Sequence, residues 1–303
     1  MLKDLLIPVL LKSPVHHPRE LAERFAAVRG NHMAKAGLET AVWDLYAKKQ
    51  NQPLWELIGG TQKIIPSGAV VGAHEVDAAL TQMEAFVNQG YKRIKVKIKP
   101  GCDYELIQAL RSRYPEVPLM VDANSAYTLK DLPLLEALDE FNLLMIEQPL
   151  AVDDIVQHRL VQRKLRTPIC LDESIVTVHD AESAIDLESC KVINIKIGRV
   201  GGLLNAMKIH DLSVQNGVDV WCGGMIEFGI SRAHNMALAS LKGFTIPGDI
   251  SASSRYWEED IILPEVEVIN GNIQMPSTPG IGFDLNHKRL KQVTMYEEKI
   301  GRS

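Results

Sequence analysis

From residue 66 onward, short apolar runs alternate with amphipathic stretches whose apolar residues recur at i, i+3 and i+4, the pattern of parallel βαβ units. The runs predict strands over 68–71, 93–98, 118–121, 143–146, 168–171, 192–197, 219–222 and 244–246, with helices over 75–89, 103–114, 129–141, 179–188, 202–216 and 231–242 between them. Eight such strands favour a (β/α)8-type barrel over an open doubly wound sheet, and no G-x-G-x-x-G follows the first of them. Upstream, residues 19–59 read as helical: Leu21, Phe25 and Val28 share one face, Ala34, Leu38, Ala41, Val42 and Leu45 follow at helical spacing, and Gly59-Gly60 ends the block. Downstream, Val266 to Ile273 alternates around Asn270-Gly271, a hairpin signal. A basic, mostly helical tail from His287 to Ser303 is expected to pack back on the first helical block.

Five ionisable residues close apolar runs at nearly constant intervals: Lys97, Asp122, Glu147, Asp172 and Lys196, separated by 25, 25, 25 and 24 residues. That interval is one strand plus one helix, so a βα repeat brings all five to the carboxyl-terminal rim, where barrel active sites sit. Each is unremarkable alone, since K-x-K on a strand is usually a solvated face and an acid after an apolar run is often a helix cap. Together they are harder to dismiss, because lysines at 95, 97 and 196 inside apolar strands are costly if buried without purpose. Three carboxylates on adjacent strands with no His or Cys among them supply hard oxygen donors, which points to Mg²⁺ or Mn²⁺. A substrate carboxylate at that cation would have an amine on each face, an arrangement suited to removing the adjacent proton while the cation stabilises the enediolate. The base lysine must be neutral to accept a proton, and a neighbouring ammonium at Lys95 with partial desolvation would favour this in Lys97.

The bulk properties agree with small-molecule chemistry. Among 303 residues, 33 basic and 38 acidic side chains give a net charge of −5 with no long run of one sign, which argues against a nucleic-acid or membrane surface. Cys102, Cys170, Cys190 and Cys222 form no C-x-x-C, so neither zinc nor a disulfide framework is indicated and a reducing cytoplasm is expected. The apolar start, Met1 to Leu11, has an early acid, a central proline and no small-residue cleavage site, unlike an export signal.

Ile94-Lys95-Val96-Lys97-Ile98, Val121-Asp122-Ala123-Asn124, Ile146-Glu147-Gln148-Pro149, Leu171-Asp172-Glu173-Ser174 and Asn194-Ile195-Lys196 closely resemble the K-x-K, D-x-N, E-Q-P, D-E-S and strand-six lysine of the enolase superfamily, in its muconate-lactonising subgroup. Within it, the chain most resembles the o-succinylbenzoate synthase and N-acylamino acid racemase family, also through Gly198 to Gly202, Val220 to Glu227 and Pro247 to Ser253. The resemblance implies a modified barrel of the (β/α)7β kind with an incomplete α+β capping domain. It divides the chain into cap helices over 1–62, the catalytic barrel over 63–263, and a hairpin and tail over 264–303. It assigns Asp122, Glu147 and Asp172 to the metal, Lys97 and Lys196 to acid/base work, Lys95, Asn124, Met225, Ile226 and Tyr256 to the substrate, and Glu173 and Asn194 to supporting positions. A Lys base paired with Mg²⁺ is a known property of the superfamily. Acid-sugar dehydratases and dipeptide epimerases are disfavoured, because strand seven ends in Cys222-Gly223-Gly224-Met225 without a His and Asp249-Ile250-Ser251 is not D-x-D.

The implied activity is metal-dependent dehydration of a cyclohexadiene carboxylate to 2-succinylbenzoate in menaquinone synthesis, in a cytoplasmic enzyme of a class that commonly forms homo-oligomers. The alternative is racemisation of an N-succinylamino acid by the same site. Family members also begin with antiparallel cap strands, whereas this chain starts in the segment after them, marking a fragment, a mis-called start or a true truncation. From that departure comes a third expectation, a weakly active or inactive chain serving as a binding or assembly partner. A hairpin over 266–273 would then present an unpaired edge.

Overall fold

The computed structural model of the chain describes residues 1–301. Its first block is helical: a π-helical turn over Leu2–Leu6 runs into α1 (Ile7–Leu11), followed by α2 (Glu20–Arg24), α3 (His32–Lys49) and α4 (Leu54–Leu57). After β1 (Ile64–Pro66), strands and helices alternate: β2 (Gly68–Val71), α5 (Val76–Asn88), β3 (Arg93–Lys97), α6 (Tyr104–Arg113), β4 (Leu119–Asp122), α7 (Leu132–Ala137), β5 (Ile146–Glu147), α8 (Val156–Gln162), β6 (Ile169–Leu171), α9 (Val178–Asp186), β7 (Val192–Ile195), α10 (Leu203–Gln215), β8 (Asp219–Cys222) and α11 (Gly229–Ala239). The chain closes with β9 (Ile262–Leu263), β10 (Asn272–Gln274), β11 (Asp284–Leu285) and α12 (His287–Val293).

Strands β2 to β8 form one parallel sheet in sequence order, curled as a half-barrel. The expected strand over 244–246 is replaced by isolated bridges, Val220 with Phe244 and Ser67 with Gly248. Gly248 O accepts from Gly68 N at 2.8 Å, and Asp249 N donates to Cys222 O at 3.1 Å, so this segment touches both edges of the sheet. Pro247, which has no N–H, interrupts any longer ladder there.

The expected hairpin also differs. Asn270 and Gly271 both have positive φ and close a tight turn with paired hydrogen bonds between Ile269 and Asn272. The strand leaving that turn, β10, instead pairs antiparallel with β1, and it buries Ile273 against Ile65. Its partner lies some two hundred residues upstream, a tertiary choice that local alternation does not encode. In the tail only His287–Val293 is helical; Lys3 meets Glu298 at 2.6 Å, while Arg302 and Ser303 lie outside the described residues.

Strand alternation sorts side chains onto two faces of the curled sheet. Leu119, Val121, Ile146, Ile169, Leu171, Ile193, Ile195 and Val220 belong to the main core that the helices cover. Met120, Met145, Cys170, Val192 and Trp221 form a separate buried cluster, the apolar filling inside the curl. Two positions beyond four of these interior residues stand Asp122, Glu147, Asp172 and Asn194, one layer nearer the carboxyl ends. The near-25-residue interval therefore becomes a single polar layer on an apolar floor.

Candidate active site

Register places Lys97 opposite Asp122, and Asp122 opposite Glu147. Lys97 Nζ donates to Asp122 Oδ2 and to Asn124 Oδ1, each at 2.6 Å, and the side chain is about one-third exposed at the mouth. Lys196 Nζ donates to Asp172 Oδ2 at 2.8 Å, and the Arg199 guanidinium also pairs with Asp172. Asn194 Nδ2 donates to Glu147 Oε1 at 2.8 Å, and Asn124 Nδ2 to Glu173 Oε1 at 3.1 Å. Lys97 thus ends β3 and Lys196 directly follows β7, the strands on either side of the three whose ends carry Asp122, Glu147 and Asp172. Asn124 and Gln148 hold left-handed backbone at φ 40° and 38° beside this layer. Gln148 Oε1 accepts from Asp172 N at 2.9 Å, tying the ends of β5 and β6 together.

The structure places Lys95 away from the open rim. Only 3% exposed, its ammonium lies 3.1 Å from both Asp122 and Glu147 and 2.6 Å from Asp249. Asp249 in turn pairs with Arg93 at 2.6 Å, and both cations stand over the Trp221 ring, at 5.0 and 4.9 Å from its centroid. Asp249, Arg93 and Arg199 are residues of the polar layer that the spacing pattern does not reveal. The Arg93–Asp249 pair joins positions 156 apart, so the ion pair exists only after the barrel curls. The available hints were an arginine opening an apolar strand and an acid two residues past Pro247.

Burial disfavours every charge here, and the partners decide the net direction. It pushes the Asp122 carboxyl up, but the Lys95 and Lys97 ammoniums outweigh it and hold the group below the usual range. Likewise, burial of Asp249 is overcome by Arg93 and Lys95, which hold its carboxyl well below the usual range. Glu147 goes the other way: burial raises its pKa to about 8, with Lys95 opposing and the Asp122 and Asp172 carboxylates adding. Burial also raises the Cys170 and Cys222 thiols well above their ordinary value, which makes poor nucleophiles of both.

Met225, Ile226 and Tyr256 are 52%, 74% and 37% exposed and supply an apolar surface after β8 and near the chain's return to β9. Gly223, at the end of β8, is a place where only glycine fits. A Cβ there would overlap the Asn194 amide and lie 2.8 Å from Lys196 Cε. Gly223→Ala is therefore expected to displace Lys196 and cut turnover by about 10-fold or more, since misplacement of about 1 Å can cost 10²-fold. Steady-state kinetics beside a melting curve check this: unchanged kcat would show that Lys196 has slack.

The donor set suits a divalent cation by its chemistry, three carboxylates from adjacent strand ends with no nitrogen or sulfur ligand among them. Glu173 Oε2 and Asn194 Oδ1 are buried without hydrogen-bond partners beside them. Among the described residues no three acidic, His or Cys side chains converge as a closed ligand set, and the lysines and Arg199 engage the carboxylate oxygens. A cation also answers the unfavourable burial of an ionised Glu147. If it binds there, Mg²⁺ titrated at pH 7 is expected to expel close to one proton, and the release should fade above about pH 9. Calorimetry in two buffers of different ionisation enthalpy measures it, and the absence of release at pH 7 would contradict this role for Glu147. Without metal, the same raised pKa predicts that Glu147's contribution to folding stability falls as pH rises from its ordinary 4.5 toward about 8.

Comparisons with known proteins fit this arrangement. Residues 78–289 match the enolase C-terminal domain-like family, and residues 1–59 match the mandelate racemase/muconate lactonizing enzyme N-terminal domain. The chain is 56% identical over its full length to an o-succinylbenzoate synthase of Geobacillus kaustophilus, covering 81% of that protein. It is 44% identical, again over its full length, to an N-succinylamino acid racemase of Thermus thermophilus, covering 82% of it. A solved enolase-superfamily structure from Listeria innocua superposes with a TM-score of 0.93 at 44% identity, over 96% of this chain and 79% of that one. With a family match across more than half its length and such relatives over all of it, the chain belongs to the enolase superfamily, in the mandelate racemase and muconate lactonizing group.

Proposed function

We propose that the chain is an o-succinylbenzoate synthase, dehydrating 2-succinyl-6-hydroxy-2,4-cyclohexadiene-1-carboxylate to 2-succinylbenzoate. The observation that carries this is the pair of lysines, Lys97 and Lys196, on strands flanking three carboxylate-bearing strand ends, in a chain whose relatives include named synthases. A divalent metal, read here as Mg²⁺ or Mn²⁺ held by Asp122, Glu147 and Asp172, would supply Lewis-acid stabilisation of charge developing on the substrate carboxylate.

The chain's own groups do the rest. Lys97, neutral when it acts, removes the proton next to the carboxylate, and Asn124 and Asp122 orient its amine. The ammonium so formed returns the proton to the departing hydroxide, which leaves as water while the ring becomes aromatic. Lys196 remains charged beside Asp172 and supports the ring by cation–π attraction. Lys95 serves best as a fixed counter-charge that bridges Asp122, Glu147 and Asp249 and offsets their mutual repulsion. Met225, Ile226 and Tyr256 offer the apolar wall against which the rest of the substrate packs.

The test is direct: purified protein with Mg²⁺ should consume the cyclohexadiene absorbance of the substrate, and no change would reject the synthase reading. N-succinylamino acid racemisation is the second reading, favoured by the named racemase relative and by amines on opposite flanks. It predicts solvent-deuterium incorporation at the α-carbon of both enantiomers, and failure to exchange would reject it. The four unpaired cysteines fit a reducing compartment. Among the described residues no helix is long and apolar enough to cross a membrane.

A further inference from the structure

Helix α10 follows β7 and the turn that starts at Lys196, and it begins without a cap of its own. Its N-cap is Gly202, which has no side chain to offer. The free N–H groups of its first turn are met by a residue 164 positions upstream: Glu39, on helix α3, accepts from Leu203 N at 2.7 Å and from Leu204 N at 3.0 Å. Trp43 Nε1 donates to the same carboxylate at 2.8 Å, and Glu39 is only 4% exposed. Gly202 sits at φ +135°, and a Cβ there would come within 2.7 Å of the Glu39 carboxylate. The close approach is built from both sides.

Between Lys196 and Gly202 the chain is a hydrogen-bonded unit. Val200 N donates to Lys196 O at 3.1 Å, and Gly202 N to Ile197 O at 3.0 Å. Arg199, inside that unit, holds Asp172. Moving the first turn of α10 therefore moves the turn that ends in Lys196. Lys97 is placed differently, by β3, Asp122 and Asn124, with no link to Glu39.

We propose that Glu39 is a positioning residue, which acts through the first turn of α10 and the 196–202 turn to set where Lys196 meets the substrate. A carboxylate suits this task because its two oxygens accept from two successive backbone N–H groups, at the helix end where negative charge is favoured. Glu39→Gln preserves the shape but puts an amide NH₂ against one of those N–H groups.

This rests on the reading of two opposed lysines, and the test separates the two claims. α-Proton exchange in D₂O is followed for D- and L-N-succinylphenylalanine with Mg²⁺, using Lys97→Ala and Lys196→Ala to assign each enantiomer to a lysine. Glu39→Gln and Glu39→Ala should slow exchange of the enantiomer served by Lys196 by about 10-fold or more while leaving the other within about twofold, because misplacement of about 1 Å at the reacting atoms costs up to ~10²-fold. Equal slowing of both enantiomers, or of neither, overturns the proposal and leaves Glu39 a structural cap. In parallel, amide exchange by mass spectrometry should speed up over residues 197–204 in Glu39→Gln, with the barrel strands unchanged. Unaltered protection there also overturns it. If the wild-type protein exchanges neither enantiomer, the racemase reading fails, and the amide measurement still shows whether Glu39 holds the turn over 197–204.

Discussion

Replacing Lys97 with alanine is expected to lower turnover by about 10²–10⁴-fold, the usual contribution of a positioned general base. Substrate affinity should change little, because the carboxylate-bearing residues and the apolar wall are untouched. Lys97→Arg is the sharper variant. Arginine keeps the positive charge and much of the length, yet it does not deprotonate in proteins, so it can pair with Asp122 and still accept no proton. Equal loss in both variants, measured as single-turnover rates beside calorimetric binding, would identify proton acceptance as the function of Lys97. Substantial activity in Lys97→Arg would show that charge alone is needed, and would move the base elsewhere.

The second large effect is on stability. Lys95→Met should destabilise the fold by about 3–5 kcal/mol, the range for removing one partner of a buried ion pair. Methionine fills much of the volume, so the loss is electrostatic: Asp122, Glu147 and Asp249 all surrender an ammonium within 3.1 Å. Asp249 keeps Arg93, whereas Glu147 keeps only the Asn194 amide. Denaturant unfolding of metal-free protein would show this as a lower midpoint at constant m-value. A midpoint equal to wild type would mean that Lys95 contributes nothing net to folding.

The sequence made the barrel readable because each strand carries its own apolar run and each polar-layer residue closes one. Position along the chain was enough to bring Lys97, Asp122, Glu147, Asp172 and Lys196 onto consecutive strand ends. Asp249 and Arg93 are not readable in this way, since their pairing joins positions 156 apart and no local pattern announces it. For the same reason Asn270-Gly271 correctly signalled a turn, while the partner of the strand after it, β1, lay outside any local window. Periodicity does not announce helix α8, because Val156–Gln162 is short, with Val156 and Leu160 exposed beside the buried His158 and Gln162, so its apolar positions do not line one face. K-x-K puts Lys95 and Lys97 on one face, but depth along the strand gives Lys97 to the rim and Lys95 to the interior.

Beneath the polar layer, Met120, Met145, Cys170, Val192 and Trp221 are each no more than 2% exposed, and the Trp221 indole N–H is taken up by the Cys170 sulfur at 3.3 Å. Such a plug offers no relay for hydrogen ions along the barrel axis, so traffic between the lysines and bulk water has one direction, through the mouth. On the proposed mechanism, a hydrogen taken by Lys97 would be shut in once substrate covers that opening. Isotope carried on the substrate should then be returned to product or leaving water more often than it is diluted into the medium.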